Sequence, residues 1–543
     1  MSTNLGIDEE KNVQQEEVKV LDVNPADLTE EKLEIYDVAA AFLAEVAKRP
    51  NAAELLAPWT PEEERAVKWK IDLIVMPLIW LANLMSSTDK VLLGTAVTFG
   101  LRTDLKLVGQ QYSWANSATY FTCIAIVFPQ SWIFQKFPIG RTIGFNVFCY
   151  GLTTFGTSAV KNFAGLIVCR LFLGAFEGAG HSATGMVVCH FPALFSTLSS
   201  VVNGLLSFAL QFYNPGPIAR WRLLFVLMGC FSVMVGTANF FVNPANPAEA
   251  WWLASYQPGN DRQKVIAIRR TSSNQTGVMN HKIKWDQIKE ALLDVKTWLI
   301  VNRSNVSLNI PNGGLIGFNS LIVQSLGYTV KEVTLLAIPT GVISWVSSLA
   351  FARLATKTRQ PTLCTIAAVL VCLTGTIMLK EIPRSNKGGS LAALFIMYCY
   401  WAPYIIFGSS ILYANVAETS KKVAVFGISY WGYCVGNLIG PQTFRTPEAP
   451  LYRSAVMSML IFYCLSILFI AAYGFICWRD NKRKVKKEEI WRASRPDDGV
   501  AEEWKDLTDK QVSLVHPGMF YCGIGNQLSV CHSFQNPLFR YSW

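Results

Sequence analysis

Long apolar segments separated by short polar stretches make up most of the chain. Six apolar segments follow one another from Ile71, a polar stretch interrupts the pattern, and six more apolar segments then follow. The first six cover 71–98, 113–133, 143–160, 163–189, 192–213 and 222–243, and the second six cover 298–327, 333–355, 362–380, 390–416, 423–443 and 454–478. Most of them match the ~20 residues that cross a bilayer as an α-helix. The pattern predicts an all-α membrane protein with twelve transmembrane helices in two six-helix bundles.

The polar stretches divide the chain into five parts. We expect a cytosolic N-terminal tail, an N-terminal bundle, a cytosolic central loop, a C-terminal bundle and a cytosolic C-terminal tail. These parts cover 1–70, 71–243, 244–297, 298–478 and 479–543. Residues 1–70 lack the apolar core of a secretory signal, which favours a cytosolic N-terminus.

Basic residues agree with this orientation, because cytosolic loops of membrane proteins collect Lys and Arg. A short basic connection follows the second segment of each half, with Lys136 and Arg141 in the first half and Arg353 and Lys357 in the second. A longer basic run covers 479–487. The repeated connection also suggests two similar halves, as in transporters whose halves rock around a central site.

Composition excludes most other classes of protein. The chain is 51% hydrophobic and 16% charged, whereas an ordinary soluble protein has about 25% charged residues. The net charge of +10 comes from loops between apolar segments, so no basic face for nucleic acid is expected. The chain has no Walker sequence, no GxSxG and no HExxH, and no CxxC pair, so we expect no enzyme, no metal site and no cofactor.

Ionisable residues inside apolar segments point to a functional site, since each costs at least ~2.5–3.5 kcal/mol to insert. Arg170 and Glu177 are seven residues apart and therefore lie on one face of the fourth segment. A buried carboxylate can carry a proton, and a buried guanidinium can hold an anion. Two interpretations stay open here: a transport site, or an ion pair that only packs helices.

The first segment adds Asp89 and Lys90. We expect Lys90 to reach the membrane interface near the outer end of its helix, because long basic side chains extend toward water. Asp89 is too short to do so, and it is a candidate either for proton coupling or for pairing helices. The remaining ionisable residues in or beside apolar segments are His181, Arg303, Glu418, Lys421 and Lys422. We expect Arg303 to lie near the cytosolic interface.

The seventh segment is unusually polar and contains helix-breaking residues. It carries Asn309, Pro311, Asn312, Gly313, Gly314 and Asn319. A helix interrupted here would line a substrate path, since free backbone groups are tolerated only against protein or a water-filled cavity. The alternative is a simple kink. In the eleventh segment, Gly432, Gly436 and Gly440 predict close helix packing.

Several longer runs of sequence are characteristic in combination. They are Thr88-Asp89-Lys90, Gly109-Gln-Gln-Tyr-Ser-Trp114, Lys161-Asn-Phe-Ala-Gly-Leu166, Arg170-Leu-Phe-Leu-Gly-Ala-Phe-Glu177, Ser273-Asn-Gln-Thr-Gly-Val278, Lys284-Trp-Asp-Gln287, Asn309-Ile-Pro-Asn-Gly-Gly314 and Gly432-Tyr-Cys-Val-Gly-Asn-Leu-Ile-Gly-Pro-Gln442. With them the chain resembles the fungal allantoate permease group, among the anion:cation symporters of the major facilitator superfamily. The resemblance covers about residues 70 to 511.

This resemblance implies a proton-coupled importer of small organic anions in the plasma membrane. The substrates of proteins in this group include allantoate, ureidosuccinate, vitamins and dipeptides. We therefore expect a small anion, protons and the lipid bilayer as partners, and a monomer. On this basis we predict proton coupling by Asp89 and Glu177. The predicted substrate-binding residues are Arg170, Asn312, Asn319, Tyr433, Asn437 and Gln442.

Two departures from the group's pattern keep other functions open. His190–Phe195 replaces a Trp-Tyr, a basic cluster and a Glu-Gln-x-x-Arg before the fifth segment, and residues 512–535 interrupt the tail pattern. The insert has boundaries compatible with a retained intron. The alternatives to a transporter are a sensor that binds its ligand without moving it, and an inactive paralogue or a faulty gene model.

Overall fold

The computed structural model describes residues 38–187, 197–213, 216, 218–244, 249–253, 261–273, 285–299, 304–358, 360–383, 385–411, 419–449 and 451–494. These residues form helices and contain no strand. Arg303, Glu418, His190–Phe195 and residues 512–535 lie outside the described residues, as do the side chains of His181 and Lys422.

A helix occupies each of the twelve predicted segments. The helices of the first half are α1 (Pro61–Thr98), α2 (Gln111–Lys136), α3 (Ile139–Thr157), α4 (Phe163–Val187), α5 (Ser199–Leu210) and α6 (Arg220–Val242). Those of the second half are α7 (Asn305–Ser325), α8 (Val330–Thr358), α9 (Pro361–Glu381), α10 (Lys387–Met397), α11 (Thr419–Ile439) and α12 (Arg453–Ser494).

Shorter helices complete the structure. After α10 the chain stays helical through Tyr398–Tyr400, Trp401–Pro403 and a π-helical stretch, Tyr404–Ile411. The others are Val38–Ala47, Ala52–Leu55, Leu101–Asp104, Trp251–Leu253, Arg262–Ser273, Trp285–Leu293, Val295–Thr297, Gly440–Thr443 and Thr446–Glu448. Within the described ranges, six helices have the length and composition to cross a membrane: α1, α6, α8, α9, α10 with its extension to Phe407, and α12 up to Asp480.

Local sequence explains where two of the long helices begin. Thr60 and Glu63 exchange hydrogen bonds at the start of α1: the Glu63 amide donates to the Thr60 hydroxyl (3.2 Å) and the Thr60 amide donates to the Glu63 carboxylate (2.9 Å). Thr329 and Glu332 make the same reciprocal pair before α8. This capping box satisfies two backbone donors that a helix start otherwise leaves free.

The described residues fall into two compact units. The smaller unit comprises residues up to Lys70 together with Asn246–Asn280. Its small apolar core contains Val46, Leu55 and Val265. Arg49 and Asp261 form an ion pair at 2.8 Å beside that core. The smaller unit is therefore held by a few apolar contacts and by partly exposed charges.

The larger unit contains the described residues within 71–244 and 285–494, and glycines lie where its helices approach closely. In the first half, a Cβ atom on Gly151 of α3 would lie 2.6 Å from the Val233 amide nitrogen of α6, and one on Gly229 of α6 would lie 2.6 Å from the Phe155 amide nitrogen of α3. In the second half, a Cβ on Gly436 of α11 would lie 2.7 Å from the Asn309 Cβ of α7. Small residues let membrane helices pack at backbone distance, and the close packing predicted for Gly436 of α11 is confirmed.

The two halves meet along α1, α2 and α5 of the first and α7, α8 and α11 of the second. Close approaches occur between Gly94 of α1 and the Ile316 carbonyl of α7, and between Gly341 of α8 and Val201 of α5. An apolar cluster that includes Val127 of α2 and Cys434 of α11 continues this interface. The candidate functional site lies within it.

Candidate functional site

Four charged side chains are buried together between α1 and α4. Arg170 Nη1 lies 2.8 Å from Asp89 Oδ2, and both side chains are about 5% exposed. Lys90 Nζ lies 2.6 Å from Glu177 Oε1, with 8% and 2% of the two side chains exposed. Two cations and two carboxylates compensate one another, which is how charged groups are tolerated inside a membrane protein. We call these four residues the charge cluster.

The directions of the side chains explain why neighbouring residues on α1 reach different turns of α4. Side chains on a helix lean toward its N-terminus, and α1 and α4 run in opposite directions in the predicted topology. The long Lys90 side chain therefore extends toward the inner half and meets Glu177, while the short Asp89 meets Arg170 seven residues earlier on α4. Sequence spacing correctly placed Arg170 and Glu177 on one face, and the structure gives each of them a partner on α1.

Lys90 also contacts the second half of the protein. Its ammonium group donates a hydrogen bond to the Tyr433 hydroxyl on α11 at 3.0 Å and lies 5.1 Å from the centre of the Tyr433 ring. Ser86, one turn before Lys90, donates a hydrogen bond to the Glu177 carboxylate at 3.2 Å. Lys90 thus connects the two bundles through a polar contact in a buried position.

Aromatic side chains form the wall around this contact. The Tyr433 ring stacks on Tyr430 with centroids 5.4 Å apart, and it meets Tyr404 at 5.6 Å and Tyr120 at 6.2 Å. Trp401 packs edge-on against Tyr404 at 5.7 Å. An aromatic wall strengthens electrostatic attraction within it, because it excludes water and lowers the local dielectric constant.

Part of the charge cluster has unused hydrogen-bonding capacity. Asp89 Oδ1, Arg170 Nε and Arg170 Nη2 are buried and have no hydrogen-bond partner among the described residues. A buried polar atom without a partner costs about 1–3 kcal/mol, and such atoms are rare in folded proteins. The N–H groups at Arg170 Nε and Nη2 are therefore available to donate hydrogen bonds to an anionic ligand.

A second polar cluster joins α7 to α11 without charges. Asn312 Nδ2 donates to Asn309 Oδ1 and to Asn437 Oδ1, each at 3.1 Å. Asn437 Nδ2 donates to the Tyr433 carbonyl at 2.9 Å, one turn earlier on α11. Further down α7, Asn305 Nδ2 donates to the Ser429 hydroxyl at 2.6 Å. We call Asn305, Asn309, Asn312 and Asn437 the amide cluster.

Tyr433 connects the two clusters. Its hydroxyl accepts a hydrogen bond from Lys90, and its carbonyl accepts one from Asn437. Asn312 Oδ1 and Asn319 Oδ1 are buried and have no hydrogen-bond partner in the described parts of the chain. Tyr433 is therefore hydrogen-bonded to both clusters through opposite ends of the residue, and α7 carries two buried amide oxygens that have no partner among the described residues.

Toward the ends predicted to be extracellular, hydrogen bonds join the two halves. Tyr112 donates to the Gly317 carbonyl at 2.5 Å, and Ser117 donates to the Leu438 carbonyl at 2.8 Å. Gln442 Nε2 donates to the Ser117 hydroxyl at 3.0 Å. Gln442 thus lies with these contacts between the halves, and its side chain makes no hydrogen bond to either cluster among the described residues.

One expectation from the sequence was wrong, and one of the two alternatives left open for the seventh segment is excluded. Lys90 does not reach the membrane interface, because Glu177 and Tyr433 hold its ammonium group inside the protein. Helix α7 is not divided at Pro311 but runs unbroken from Asn305 to Ser325. The reason is packing: a Cβ on Gly313 would lie 2.8 Å from the Asn437 Cα, so the glycines of α7 allow close contact with α11 and do not end the helix.

Sequence reasoning also missed residues that the structure places in the site. Lys90 was named from the sequence but was placed at the interface, because its partner Glu177 lies on another helix. Tyr120, Tyr404 and Tyr430 gave no signal, because tyrosines are ordinary components of membrane helices.

Comparison with known proteins assigns the family. A family profile described as Major Facilitator Superfamily matches residues 79–441, which is more than half of the chain. The chain belongs to the major facilitator superfamily. Members of the superfamily are transporters, and the present member is a multi-pass membrane transporter and not an enzyme.

Relatives of similar length support this assignment. This superfamily member is 32% identical to the MFS-type transporter cnsL of Penicillium expansum over 88% of its own length and 91% of the relative's. It is 31% identical to the allantoate permease of Saccharomyces cerevisiae, over 89% of its own length and 87% of the permease. The predicted likeness to fungal allantoate permeases is confirmed.

Solved structures confirm the predicted major facilitator fold. The proton:xylose symporter XylE of E. coli aligns with 77% of this chain and 96% of its own, with a TM-score of 0.57 and 12% sequence identity. At this level of identity the likeness concerns the fold alone.

Proposed function

We propose that this transporter imports a small organic anion together with protons by alternating access. The observation that carries the proposal is the buried charge cluster, in which two cations and two carboxylates lie at the interface between the halves. A site of this kind can take up an anion and a proton together without acquiring net charge. In addition, Arg170 Nε and Nη2 have no hydrogen-bond partner among the described residues, so they can donate to a bound anion.

The relatives support an anionic substrate. The Saccharomyces cerevisiae relative is named for allantoate, which is a carboxylate. In this proposal the anion binds between Arg170 and the polar residues of the second half. Those residues are Asn312, Asn319, Tyr433, Asn437 and Gln442. Protons bind to Asp89 or Glu177.

The contacts between the halves indicate how the cycle proceeds. Import begins when the hydrogen bonds of Tyr112 and Ser117 with the second half open, which exposes the charge cluster to the outside. Substrate and proton then bind, the contacts re-form, and the halves separate at the opposite end. We propose that the protein acts as a monomer in the plasma membrane, with residues 1–70 and 479–543 in the cytosol.

Uptake measurements test this function. The full chain is expressed in yeast that lacks its own allantoate permease, and uptake of labelled allantoate, ureidosuccinate and nicotinate is measured at acidic and neutral external pH. We expect one substrate to enter faster at acidic pH and to stop entering when a protonophore is added. Surface-located protein that imports none of the three contradicts transport of these anions and favours another substrate, a sensor or an inactive paralogue.

The role of Glu177 has a separate test. Glu177→Gln removes a proton-binding group, so we expect uphill accumulation to fall to equilibrium while exchange of labelled for unlabelled substrate continues. Glu381→Gln, which changes an exposed carboxylate at the end of α9, is the matched control and is expected to accumulate substrate normally. Normal accumulation by Glu177→Gln excludes the proposed role.

A further inference from the structure

Arg102 lies where the two halves meet on the side predicted to be extracellular, and it has no acidic partner. It belongs to the short helix Leu101–Asp104, in the loop between α1 and α2. Its neighbour Asp104 pairs with Arg222 at 2.9 Å. Within the described ranges no carboxylate forms an ion pair with Arg102, whose side chain is partly exposed. The guanidinium group is therefore available to a ligand that arrives from outside.

Tyr112 places Arg102 beside the route to the charge cluster. The Arg102 guanidinium carbon lies 5.9 Å from the centre of the Tyr112 ring. Tyr112 is only 2% exposed, and its hydroxyl joins the halves by donating to the Gly317 carbonyl of α7. Tyr112 also interacts electrostatically with both Arg102 and Arg170. One buried aromatic residue thus lies between an arginine at the surface and the arginine of the charge cluster.

The loops around Arg102 carry an excess of positive charge. Residues 99–111 of the first half and 440–453 of the second contain four basic and two acidic side chains: Arg102, Lys106, Arg445 and Arg453 against Asp104 and Glu448. The two loops are in contact, because the Thr446 hydroxyl donates to the Gly109 carbonyl at 3.0 Å. An excess of surface charge of one sign raises the local concentration of ligands of the opposite sign.

The same two loops contain unusual backbone conformations. Among the described residues, the non-glycine residues with positive φ are Lys106 (φ 50°) and Tyr452 (φ 43°), one in each loop. Residues with a Cβ rarely adopt this conformation, and it is concentrated at ligand-binding and switch regions. Tyr452 also interacts electrostatically with Arg102. Both loops therefore have a specific shape next to Arg102.

We propose that Arg102 forms an outer binding site for the carboxylate of the arriving anion, which passes to the charge cluster when the Tyr112 contact opens. A guanidinium group can offer two parallel N–H donors to a carboxylate. The Tyr112 hydroxyl becomes a further donor once it leaves Gly317. The outer site selects small carboxylates over neutral and cationic solutes before the central site is reached. The inference rests on the proposed function and adds a first binding step outside the central site.

Uptake kinetics in intact cells test the inference. The probe is whichever of labelled allantoate, nicotinate or ureidosuccinate the wild-type protein imports fastest at acidic pH. Arg102→Gln should raise KM about tenfold, since focused charge raises association rates by about 10- to 1,000-fold. The maximal rate should stay within about twofold, because a variant that only loses binding changes KM and not kcat. An unchanged KM overturns the proposal.

Lys387→Gln is the matched control. Lys387 is an exposed cation on the side predicted to be extracellular, and its ammonium group lies 5.8 Å from the centre of the Tyr328 ring. Both residues belong to the second half, so this contact does not lie at the closure between the halves. Lys387→Gln should therefore keep the wild-type KM. A KM that rises equally in both variants assigns the effect to general surface charge and contradicts a site at Arg102.

Ionic strength separates a binding role of Arg102 from mere packing on Tyr112. The Debye length shortens from about 30 Å at 0.01 M to about 8 Å at 0.15 M ionic strength. The wild-type KM should rise over this range at constant pH and osmolarity, and the KM of Arg102→Gln should change less. If the two proteins depend equally on ionic strength, Arg102 only packs on Tyr112 and the outer site is refuted.

Chemical modification of Arg102→Cys tests the charge within one folded protein. Cells that express it are treated with a membrane-impermeant methanethiosulfonate that carries either a trimethylammonium or a sulfonate group. Wild-type cells treated in parallel correct for the native cysteines. The cationic adduct should lower KM toward the wild-type value, and the anionic adduct should raise it further. If both reagents change KM equally, or neither changes it, the proposal is overturned.

These results distinguish the inference from the proposed function. If wild-type protein at the cell surface imports none of the three probes, the proposed import of these anions fails and the inference fails with it. If import is normal but substitution of Arg102 changes neither KM nor its dependence on ionic strength, the outer site is refuted and the proposed transport stands.

Discussion

The two halves of this transporter use different chemistry at their shared interface. The first half contributes a charge cluster, in which removal of one partner leaves a buried ion. The second half contributes an amide cluster, in which every group is neutral. Most side chains of this cluster make more than one hydrogen bond, so the loss of one bond leaves others in place. The comparison suggests that the charge cluster of the first half responds to protons and anions. The amide cluster of the second half provides a surface that the substrate can approach without a change in charge.

The charge cluster should be the less tolerant of single substitutions. Arg170→Ala leaves the Asp89 carboxylate buried without its cation, and loss of one partner of a buried pair costs about 3–5 kcal/mol. We expect loss of most folded, monodisperse protein in size-exclusion chromatography after detergent extraction. The double variant Asp89→Asn/Arg170→Gln should recover much of it. If the double variant is as damaged as Arg170→Ala, the pair does not explain the loss.

The next largest loss of stability is expected from a substitution that disturbs helix packing beside the amide cluster. A methyl group at Gly436 would lie 2.7 Å from the Asn309 Cβ and 2.8 Å from the Val306 carbonyl oxygen, so Gly436→Ala forces α7 and α11 apart and should cost about 1–3 kcal/mol. The melting temperature of the purified protein measures this change. Gly156→Ala is the matched control, because a Cβ there meets no atom within 4 Å. A melting temperature that falls equally in both variants contradicts the packing argument.

The amide hydrogen bonds themselves should matter less than the charges. Asn437→Ala removes contacts with Asn309, Asn312 and the Tyr433 carbonyl. Hydrogen bonds between membrane helices contribute about 0.6 kcal/mol on average and up to about 1.7 kcal/mol, so the variant should fold with a slightly lower melting temperature. Its affinity for substrate should weaken more visibly than its stability. Loss of folded protein comparable to that of Arg170→Ala would remove the distinction between the two halves.

The smallest effect on stability is expected for the Arg49–Asp261 ion pair in the smaller unit. This pair is partly exposed, unlike the buried pairs of the charge cluster. Partial burial raises the pKa of the Asp261 carboxyl, but hydrogen bonds from Arg49 and Lys264 outweigh this and lower its pKa below the usual value. The stabilisation is therefore complete above the unfolded pKa of about 3.9 and is lost as pH falls through the lower folded value. Pairs near the surface contribute about 0–1 kcal/mol.

Hydrogen exchange in the full chain measures this pair. At neutral pH, Asp261→Asn should reduce protection of the Arg262–Ser273 helix slightly. The difference between variant and wild type should persist at mildly acidic pH and vanish below the folded pKa of Asp261. A difference that already disappears at mildly acidic pH shows that the folded pKa is not lowered.

Much of the fold was predictable because a bilayer imposes a length and a composition on every helix that crosses it. Within the described residues a helix therefore lies in each apolar segment, and α3, for example, was predicted at 143–160 and observed at Ile139–Thr157. Within the described residues, helix α5 covers Ser199–Leu210 of its predicted segment, 192–213. Glycine in the eleventh segment predicted close packing correctly, because a residue without a Cβ atom lets two helix backbones approach closely.

The site was only partly predictable. The cost of an intramembrane charge singled out Asp89, Arg170 and Glu177 from the sequence alone. Their pairing was not predictable, because two cations and two carboxylates can be paired in more than one way, and the rotation of α1 relative to α4 selects one. Lys90 was assigned to the membrane interface for the same reason: its depth depends on a partner located 87 residues later in the chain.

The sequence by itself determined that this protein is a helical membrane protein with charges buried in its first half, since hydropathy and the cost of intramembrane ions are local properties of each segment. Its resemblance to a known family indicated a transporter. Only the tertiary structure decided that α7 is continuous, that its glycines fit against α11, and that Lys90 links Glu177 to Tyr433 across the two halves. These features depend on contacts between residues far apart in the chain, and such contacts arise only when packing of the helices fixes their rotation and depth.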